Sequence, residues 1–242
     1  MMKPTLRLLC VLLACLLPVG LTACGGDGAD GQETNAITFD VYATDKSEPN
    51  ADMEAIRAEI DSKRVDAFTE TVRKTEYVKM TVRDYGDVII RLRSDIAPET
   101  VANFQRLVAE GFYDGLTVHR VVKGFVIQTG DPKGDGSGGS TQTVLGEFAA
   151  NGVKNDLSHI TGVLSMARRG DGYNTATSQF MICNSDDAAS SLDGYSAAFG
   201  YVVAGLEVVL TLSEAEVTLG SGEVSRPVEP IIIEKICFVY MK

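Results

Sequence analysis

The strongest constraint on the fold is a run of short segments, beginning at Tyr77, in which apolar and polar residues alternate. Val78, Met80 and Val82 alternate with polar residues, and after a tight turn the same alternation resumes at Val88. Because successive side chains of a strand point to opposite faces, this pattern predicts two strands that each bury one face. The turn between them indicates a β-hairpin.

Further strand-like segments follow this hairpin, joined by glycine-rich connections. They are 117–128, 162–166, 179–184, 198–203 and 231–239. Two helices are indicated, one at 95–111, where Pro98 suits a helix start and Gly111 a helix end, and one at 206–214. Many short strands with few helices favour a mainly β fold, a closed antiparallel barrel capped by helices.

The composition is that of a globular chain with a buried core. Hydrophobic residues make up 45% of the 242 residues and charged residues 23%, which excludes a disordered or collagen-like chain. The formal net charge of −11 comes without a basic run. Because an acidic surface repels phosphate backbones, no nucleic-acid partner is predicted.

The first 23 residues have the pattern of an export signal. A positively charged start precedes an apolar run that is interrupted by Pro18 and is too short for a good membrane span. The run ends in the letters LTAC at 21–24, which resemble a bacterial lipobox. Lipidation of Cys24 would anchor the chain to the cell membrane on its extracytoplasmic side. The alternative is a plain signal peptide in which Cys24 is incidental.

The rest of the chain divides into three predicted parts. They are 24–36, a lipidated cysteine with a flexible Gly/Asp-rich tether; 37–76, an N-terminal extension; and 77–242, the barrel domain. Within the extension, 37–42 could form a short strand, and an apolar stripe predicts a helix at 51–74 that packs on a neighbouring domain. One hypothesis is that this helix lies over the barrel and regulates access to it.

The remaining cysteines and the histidines indicate no metal or hydrolytic site. Cys183 and Cys237 lie in apolar runs, so inert core thiols are predicted, with a disulfide between them as the alternative. No metal-ligand spacing occurs. His119 is expected to be a satisfied structural residue and His159 a loop residue, and neither has an evident triad partner. The glycine-rich segment 134–139 lacks the P-loop residues and is interpreted as a connection.

Three segments resemble the cyclophilin family. They are 113–130 (YDGLTVHRVVKGFVIQTG), 162–182 (GVLSMARRGDGYNTATSQFMI) and 192–200 (LDGYSAAFG). The resemblance covers about residues 77–241, and the sequence is most similar in kind to the bacterial branch of the family. It implies a peptidyl-prolyl cis-trans isomerase, built as an eight-stranded antiparallel barrel closed by two α-helices, with no cofactor.

The chemistry of that reaction sets what the site must provide. Amide resonance gives Xaa-Pro rotation a barrier of roughly 18–20 kcal/mol. The catalyst needs neither a nucleophile nor a proton shuttle. It must hold the proline ring in an apolar pocket, bind the flanking carbonyls and place a donor near the prolyl nitrogen as resonance is lost.

The resemblance assigns these tasks to particular positions. Arg120 is the expected donor, since a guanidinium is always charged and carries fixed N–H groups; by itself the residue would be interpreted as part of a surface ion pair. Gln128 is expected to bind a substrate carbonyl, and Gln179 to orient Arg120. The predicted substrate-binding positions are Phe125, Val126, Ala167, Arg168, Met181, Leu192 and Ser196, with Ala167 and Arg168 acting through their backbone.

Three positions depart from the commonest family choices. Met181 stands where Phe is usual, Ser191 where many members have Trp, and Ser196 where His is common. A wider pocket with altered efficiency is expected, and only weak binding of cyclosporin, since Ser191 lacks the indole. The predicted function is isomerisation of Xaa-Pro segments in unfolded or partly folded exported or cell-surface proteins. The alternative is a low-turnover chaperone or adaptor module that binds proline segments.

Overall fold

A computed structural model describes residues 51–242 of the chain. The predicted signal peptide, lipidated cysteine, tether and strand at 37–42 lie outside the described residues. The strands are β1 (Phe68–Glu70), β2 (Tyr77–Val82), β3 (Gly86–Leu92), β4 (Arg120–Val122), β5 (Val126–Thr129), β6 (Val163–Met166), β7 (Phe180–Cys183), β8 (Ala198–Ala204), β9 (Val217–Leu219), β10 (Val224–Pro227) and β11 (Ile233–Met241). The helices are α1 (Ala51–Glu59), α2 (Pro98–Ala109), α3 (Ala189–Leu192) and α4 (Leu206–Ser213), with short 3-10 turns at Val65–Ala67, Ala149–Asn151 and Asp186–Ala188.

Nine of these strands form one antiparallel sheet in the order β1-β11-β2-β3-β8-β6-β7-β5-β4, and β9 pairs with β10 in a separate hairpin. The mainly β prediction is correct. The predicted closed eight-stranded barrel with two helices is not confirmed, because within residues 51–242 the ladder has nine strands and its edges β1 and β4 do not pair. The segment that leads into β4 does approach the start of β11, where the Gly115 N–H donates to the Ile233 carbonyl at 2.8 Å.

The first core cluster lies between the curved sheet and the helices α2 and α4. The ring of Phe104 on α2 lies 5.2–5.3 Å from the rings of Tyr113, Phe180 and Phe199. Phe104 therefore lies on the buried face of α2, together with Val101, Leu107 and Val108. Glu147 supports the start of α2, since its carboxylate accepts hydrogen bonds from the Thr100 N–H at 2.8 Å and the Thr100 hydroxyl at 2.6 Å.

The predicted helix at 51–74 is only partly present. α1 ends at Glu59, and Asp61 has a φ of 53°, in the left-handed region that ends a helix. The Lys63 N–H then donates to the Val203 carbonyl at 2.9 Å, so the backbone turns towards β8. The helical prediction is wrong beyond α1, because contacts with a distant strand outweigh the local pattern.

The rest of that segment adds a strand to the sheet. β1 pairs with the end of β11, from Phe68 opposite Met241 to Glu70 opposite Val239. Ile56 and Phe68 are buried in a second core cluster with Tyr201 of β8, whereas Val72 is 99% exposed. The apolar stripe correctly indicated packing on the neighbouring domain, but the packed segment is a helix followed by a strand.

Candidate active site

Three polar side chains form a row across β4, β5 and the start of β7. Arg120 lies opposite Gln128 in the β4–β5 ladder, and Gln128 lies opposite Met181 in the β5–β7 ladder. Opposed residues of neighbouring strands share a face of the sheet. The Arg120 Nη1 donates to Gln128 Oε1 at 3.4 Å, and the Gln128 Nε2 donates to Gln179 Oε1 at 2.8 Å. The three predicted catalytic residues therefore lie together, and Gln179 contacts Arg120 through Gln128.

The glycine-rich connection supports the far end of this row. The Gln179 Nε2 donates to the carbonyls of Gly136 at 3.0 Å and Gly138 at 2.7 Å. The buried Asp131 carboxylate shapes the loop by accepting from the backbone N–H of Lys133 at 2.8 Å and of Gly136 at 2.7 Å. A Cβ at Gly138 would overlap that carboxylate, so glycine is required there. The glycine-rich segment 134–139, which the sequence analysis interpreted as a connection, therefore also holds the side-chain amide of Gln179 in place.

An apolar cluster lies beside the polar row. Val126 and Met181 are buried with Cys183 and Ala188, and Phe125 and Leu192 pack against them. Four of the predicted substrate-binding residues, Phe125, Val126, Met181 and Leu192, therefore lie together. Burial raises the pKa of Cys183 to about 12, which leaves it an unreactive free thiol as predicted.

Cys183 and Ala188 are members of this cluster that the sequence analysis missed. Cys183 is two residues beyond Met181 on the same strand, so the period of two placed it on the pocket face. Ala188 follows the strand in a 3-10 turn and had no such signal.

The remaining predicted binding positions are Ala167 and Arg168, which follow β6, and Ser196, which lies shortly before β8. The Ala167 N–H donates to the Gln179 carbonyl at 3.0 Å, which extends the pairing past β6. The Arg168 side chain donates to the Tyr195 carbonyl at 3.1 Å, and its Cζ lies 5.3 Å from the Phe148 ring centroid. Ser196 is buried, and its N–H donates to the Leu192 carbonyl at 3.0 Å. The engaged Arg168 side chain agrees with a role for this segment through its backbone.

The two histidines differ from expectation. His119 is buried as a structural residue would be, but neither ring nitrogen has a hydrogen-bond partner among the described residues, so it is not satisfied. Burial lowers the pKa of His119, which keeps it neutral at physiological pH.

His159 lies in a loop, as expected, but its side chain is buried and has hydrogen-bond partners that the sequence analysis did not find. Its Nδ1 lies 2.7 Å from Asp193 Oδ1 and its Nε2 lies 2.8 Å from Ser165 Oγ. Burial opposes ionisation of Asp193, but hydrogen bonds from His159 and Ser158 outweigh it and lower the pKa of Asp193. Because Ser165 is completely buried, its hydroxyl is not an accessible nucleophile. The hydrogen bonds from Asp193 through His159 to Ser165 are therefore structural.

A third site residue that the sequence analysis missed is Glu223. Glu223, next to the start of β10, pairs its carboxylate with Arg120 through Nε, and through Nη2 at 3.3 Å. The two residues are 103 positions apart, and no local pattern relates them. The surface ion pair considered for Arg120 therefore exists alongside its contact with Gln128.

The described residues show neither a metal cluster nor a membrane span. Within 51–242, no group of three or more His, Cys, Asp or Glu side chains could hold a metal ion. Over the same residues, no helix has the length and apolar character needed to cross a membrane.

The candidate site combines an apolar cluster with a guanidinium and two amides on an antiparallel sheet. Such a site suits an extended peptide with a bulky apolar residue and polar backbone groups on either side. Residues 77–237 match the family model described as cyclophilin type peptidyl-prolyl cis-trans isomerase. The chain therefore belongs to the cyclophilin family and is a peptidyl-prolyl cis-trans isomerase.

Similar proteins come from distant organisms. Peptidyl-prolyl cis-trans isomerase ppi1 of Schizosaccharomyces pombe is 40% identical over 151 residues, covering 62% of this chain and 91% of that protein. Peptidyl-prolyl cis-trans isomerase B of Bacillus subtilis is 41% identical over 144 residues, covering 60% and 94%. A crystal structure of a Cryptosporidium parvum cyclophilin type isomerase, determined in the presence of the dipeptide Ala-Pro, superposes with a TM-score of 0.58 at 32% identity, covering 67% of this chain and 98% of that one. These comparisons support a cyclophilin-like fold.

Proposed function

We propose that this isomerase acts outside the cytoplasm, anchored through a lipid on Cys24, on Xaa-Pro bonds of exported or cell-surface proteins as they fold. The observation that carries the catalytic part is the row Arg120–Gln128–Gln179 beside the apolar cluster. Slow Xaa-Pro rotation limits many folding reactions, so an isomerase at the membrane surface has clients among newly exported chains.

In the proposed reaction, the proline ring enters the apolar cluster and the chain continues across the polar row. Met181 and Leu192 contact the ring, and Gln128 binds a flanking carbonyl. Arg120 donates an N–H towards the prolyl nitrogen, whose lone pair becomes available only when the amide twists. A donor that binds the twisted form better than either planar form lowers the barrier.

The pocket is filled differently from the commonest family arrangement. Met181 is only 6% exposed, so its flexible side chain forms the floor where a phenylalanine is usual. Ser196 is buried but supplies no ring to the rim. These features support activity with an altered efficiency or choice of substrate.

The activity is tested with short Xaa-Pro peptides, by NMR exchange spectroscopy on the isolated protein. We expect the cis/trans exchange rate to rise well above that of buffer. A peptide that binds measurably while its exchange rate stays at the uncatalysed value would support the low-turnover chaperone or adaptor instead.

The anchor is supported by the LTAC letters at 21–24 and the apolar run before them. It is tested by expressing the full chain in a bacterium with a lipoprotein-processing pathway and fractionating the cells after labelling with a fatty-acid analogue. We expect the parent chain in the membrane fraction and labelled, and Cys24→Ser unlabelled. Cys15→Ser is the matched control, since that residue lies inside the predicted signal. Equal labelling of Cys24→Ser and the parent would contradict the anchor.

A further inference from the structure

The β9–β10 hairpin contacts the polar row of the site from the side opposite to Gln128. Its tip, residues 220–223, is closed by a hydrogen bond from the Gly220 N–H to the Glu223 carbonyl at 2.7 Å, and Gly222 has a φ of +97°. This turn directs the Glu223 carboxylate onto the Arg120 guanidinium.

The geometry of the Arg120–Glu223 pair leaves one nitrogen of the guanidinium, Nη1, for the groove, the surface beside the apolar cluster where the substrate peptide is proposed to bind. The carboxylate takes the edge formed by Nε and Nη2, with the second contact at 3.3 Å. Nη1 is the nitrogen that contacts Gln128. Side-on pairing with a carboxylate restricts a planar guanidinium in both position and rotation.

A second contact joins the hairpin tip to the glycine-rich loop. The Ser221 hydroxyl donates to the Asp135 carbonyl at 2.7 Å, and the same loop accepts from Gln179. The contacts therefore close a ring: Arg120 to Gln128, Gln128 to Gln179, Gln179 to the loop, the loop to the hairpin tip, and the tip back to Arg120 through Glu223.

We propose that Glu223 is a positioning residue for prolyl isomerisation, holding Arg120 by one edge so that Nη1 stays aimed at the groove. The proposal rests on the proposed role of Arg120 as the donor. Without Glu223, a side chain that is 26% exposed would be free to sample other rotamers. The hydrogen bond from Arg120 lowers the pKa of Glu223 in spite of its partial burial, so the pair is ionised at neutral pH.

The Arg120–Glu223 pair could instead slow the reaction. Whether removal of Glu223 raises or lowers the rate distinguishes the two possibilities. A carboxylate neutralises part of the positive charge that Arg120 would present to the prolyl nitrogen. If neutralisation dominated, removing Glu223 would speed the reaction. If positioning dominates, as proposed, removing it slows the reaction, because a misplaced catalytic group loses rate steeply with distance.

The test measures kcat and KM separately on a Xaa-Pro peptide for Glu223→Ala, Glu223→Gln and Ser221→Ala. We expect Glu223→Ala to lower kcat on the order of tenfold with little change in KM. Glu223→Gln, which keeps an acceptor oxygen, should recover part of the loss, and Ser221→Ala should lower kcat less. Glu214→Ala is the matched control, because Glu214 forms an exposed ion pair with Lys123 near the same hairpin.

A spectroscopic readout on the full folded protein completes the test. The Nε–H resonance of Arg120 should shift in Glu223→Ala and stay in place in Glu214→Ala. An unchanged or higher kcat for Glu223→Ala, in a protein where Arg120→Ala is strongly impaired, overturns the positioning role alone. Normal turnover in Arg120→Ala overturns the assigned donor, and the inference about Glu223 with it.

Discussion

At the scale of single residues, the candidate site contains one guanidinium, that of Arg120, which is contacted from two sides. Gln128 contacts Nη1, Glu223 takes the opposite edge, and the Arg120 Cζ lies 5.8 Å from the centroid of the Phe125 ring. The aromatic face adds a cation–π contact beside the apolar cluster. The guanidinium proposed as the donor and the apolar cluster proposed to bind proline are therefore adjacent, as the proposed reaction requires.

This arrangement predicts a large effect of removing the donor. Arg120→Ala should lower kcat/KM about a hundredfold, or ~2.7 kcal/mol of transition-state stabilisation. Arg83→Ala is the matched control, since Arg83 forms an exposed ion pair with Glu234 and does not contact the row. The measurement is the protease-coupled or NMR exchange rate on one peptide for all three proteins. Unchanged turnover in Arg120→Ala would show that another group supplies the donor.

At the scale of elements, α1 and β1 belong to the folded unit although they precede residues 77–237, which match the family model. The Glu59 carboxylate of α1 accepts from Arg91 Nη1 at 2.8 Å and from the Tyr201 hydroxyl at 2.7 Å. Ile56 is 4% exposed in the second core cluster. These contacts make the segment part of the folded unit. The hypothesis that it regulates access to the groove stays a prediction.

The docking of α1 predicts a loss of stability without a loss of catalysis. Ile56→Ala should lower the free energy of unfolding by about 2–5 kcal/mol, the usual cost of emptying a buried isoleucine site. The value of kcat/KM at a temperature well below the melting transition should stay the same. Glu54→Ala, on the exposed side of the same helix, is the control and should change stability little. Equal stability of both variants would mean that α1 is not docked in solution.

At the scale of the whole molecule, ion pairs join the first strand of the described chain to the second and to the last. The Glu70 carboxylate of β1 lies 2.7 Å from Lys79 Nζ on β2 and 2.9 Å from Lys235 Nζ on β11. Hydrogen bonds from these two lysines lower the pKa of Glu70 to about 2. The group is nearly half exposed, so solvent screens the pairs and limits what they contribute to stability.

The lowered pKa of Glu70 predicts that the free energy of unfolding depends on pH in the acid range. Because the folded pKa lies below the unfolded value of 4.5, the unfolded state binds the proton first. The stabilising contribution of Glu70 is therefore present above pH 4.5 and is lost as the pH falls from 4.5 towards 2. Denaturant titrations should show a shallower decline over this interval for Glu70→Gln than for the parent chain. The two should converge at the acid end, and parallel curves throughout would contradict the assignment.

Much of the fold and of the site could be predicted because the signals are local. The period of two indicated β2 and β3 nearly to the residue, and Pro98 and Gly111 indicated the two ends of α2. The residues predicted for the polar row and the apolar pocket do lie together. Their roles in catalysis came from the family resemblance, and they stay predictions until the variants are measured.

What the sequence by itself determined is the longer strands of the sheet and the helices α2 and α4, because side-chain period and turn residues act within a few positions of the chain. Only the tertiary structure decided the turn of the extension into β1, the burial of His159 between Ser165 and Asp193, and the pairing of Glu223 with Arg120. Each depends on partners far apart in the sequence, brought together by the packing of the sheet. Such contacts leave no periodic trace in either partner, since each residue's neighbours along the chain do not determine what approaches it in space.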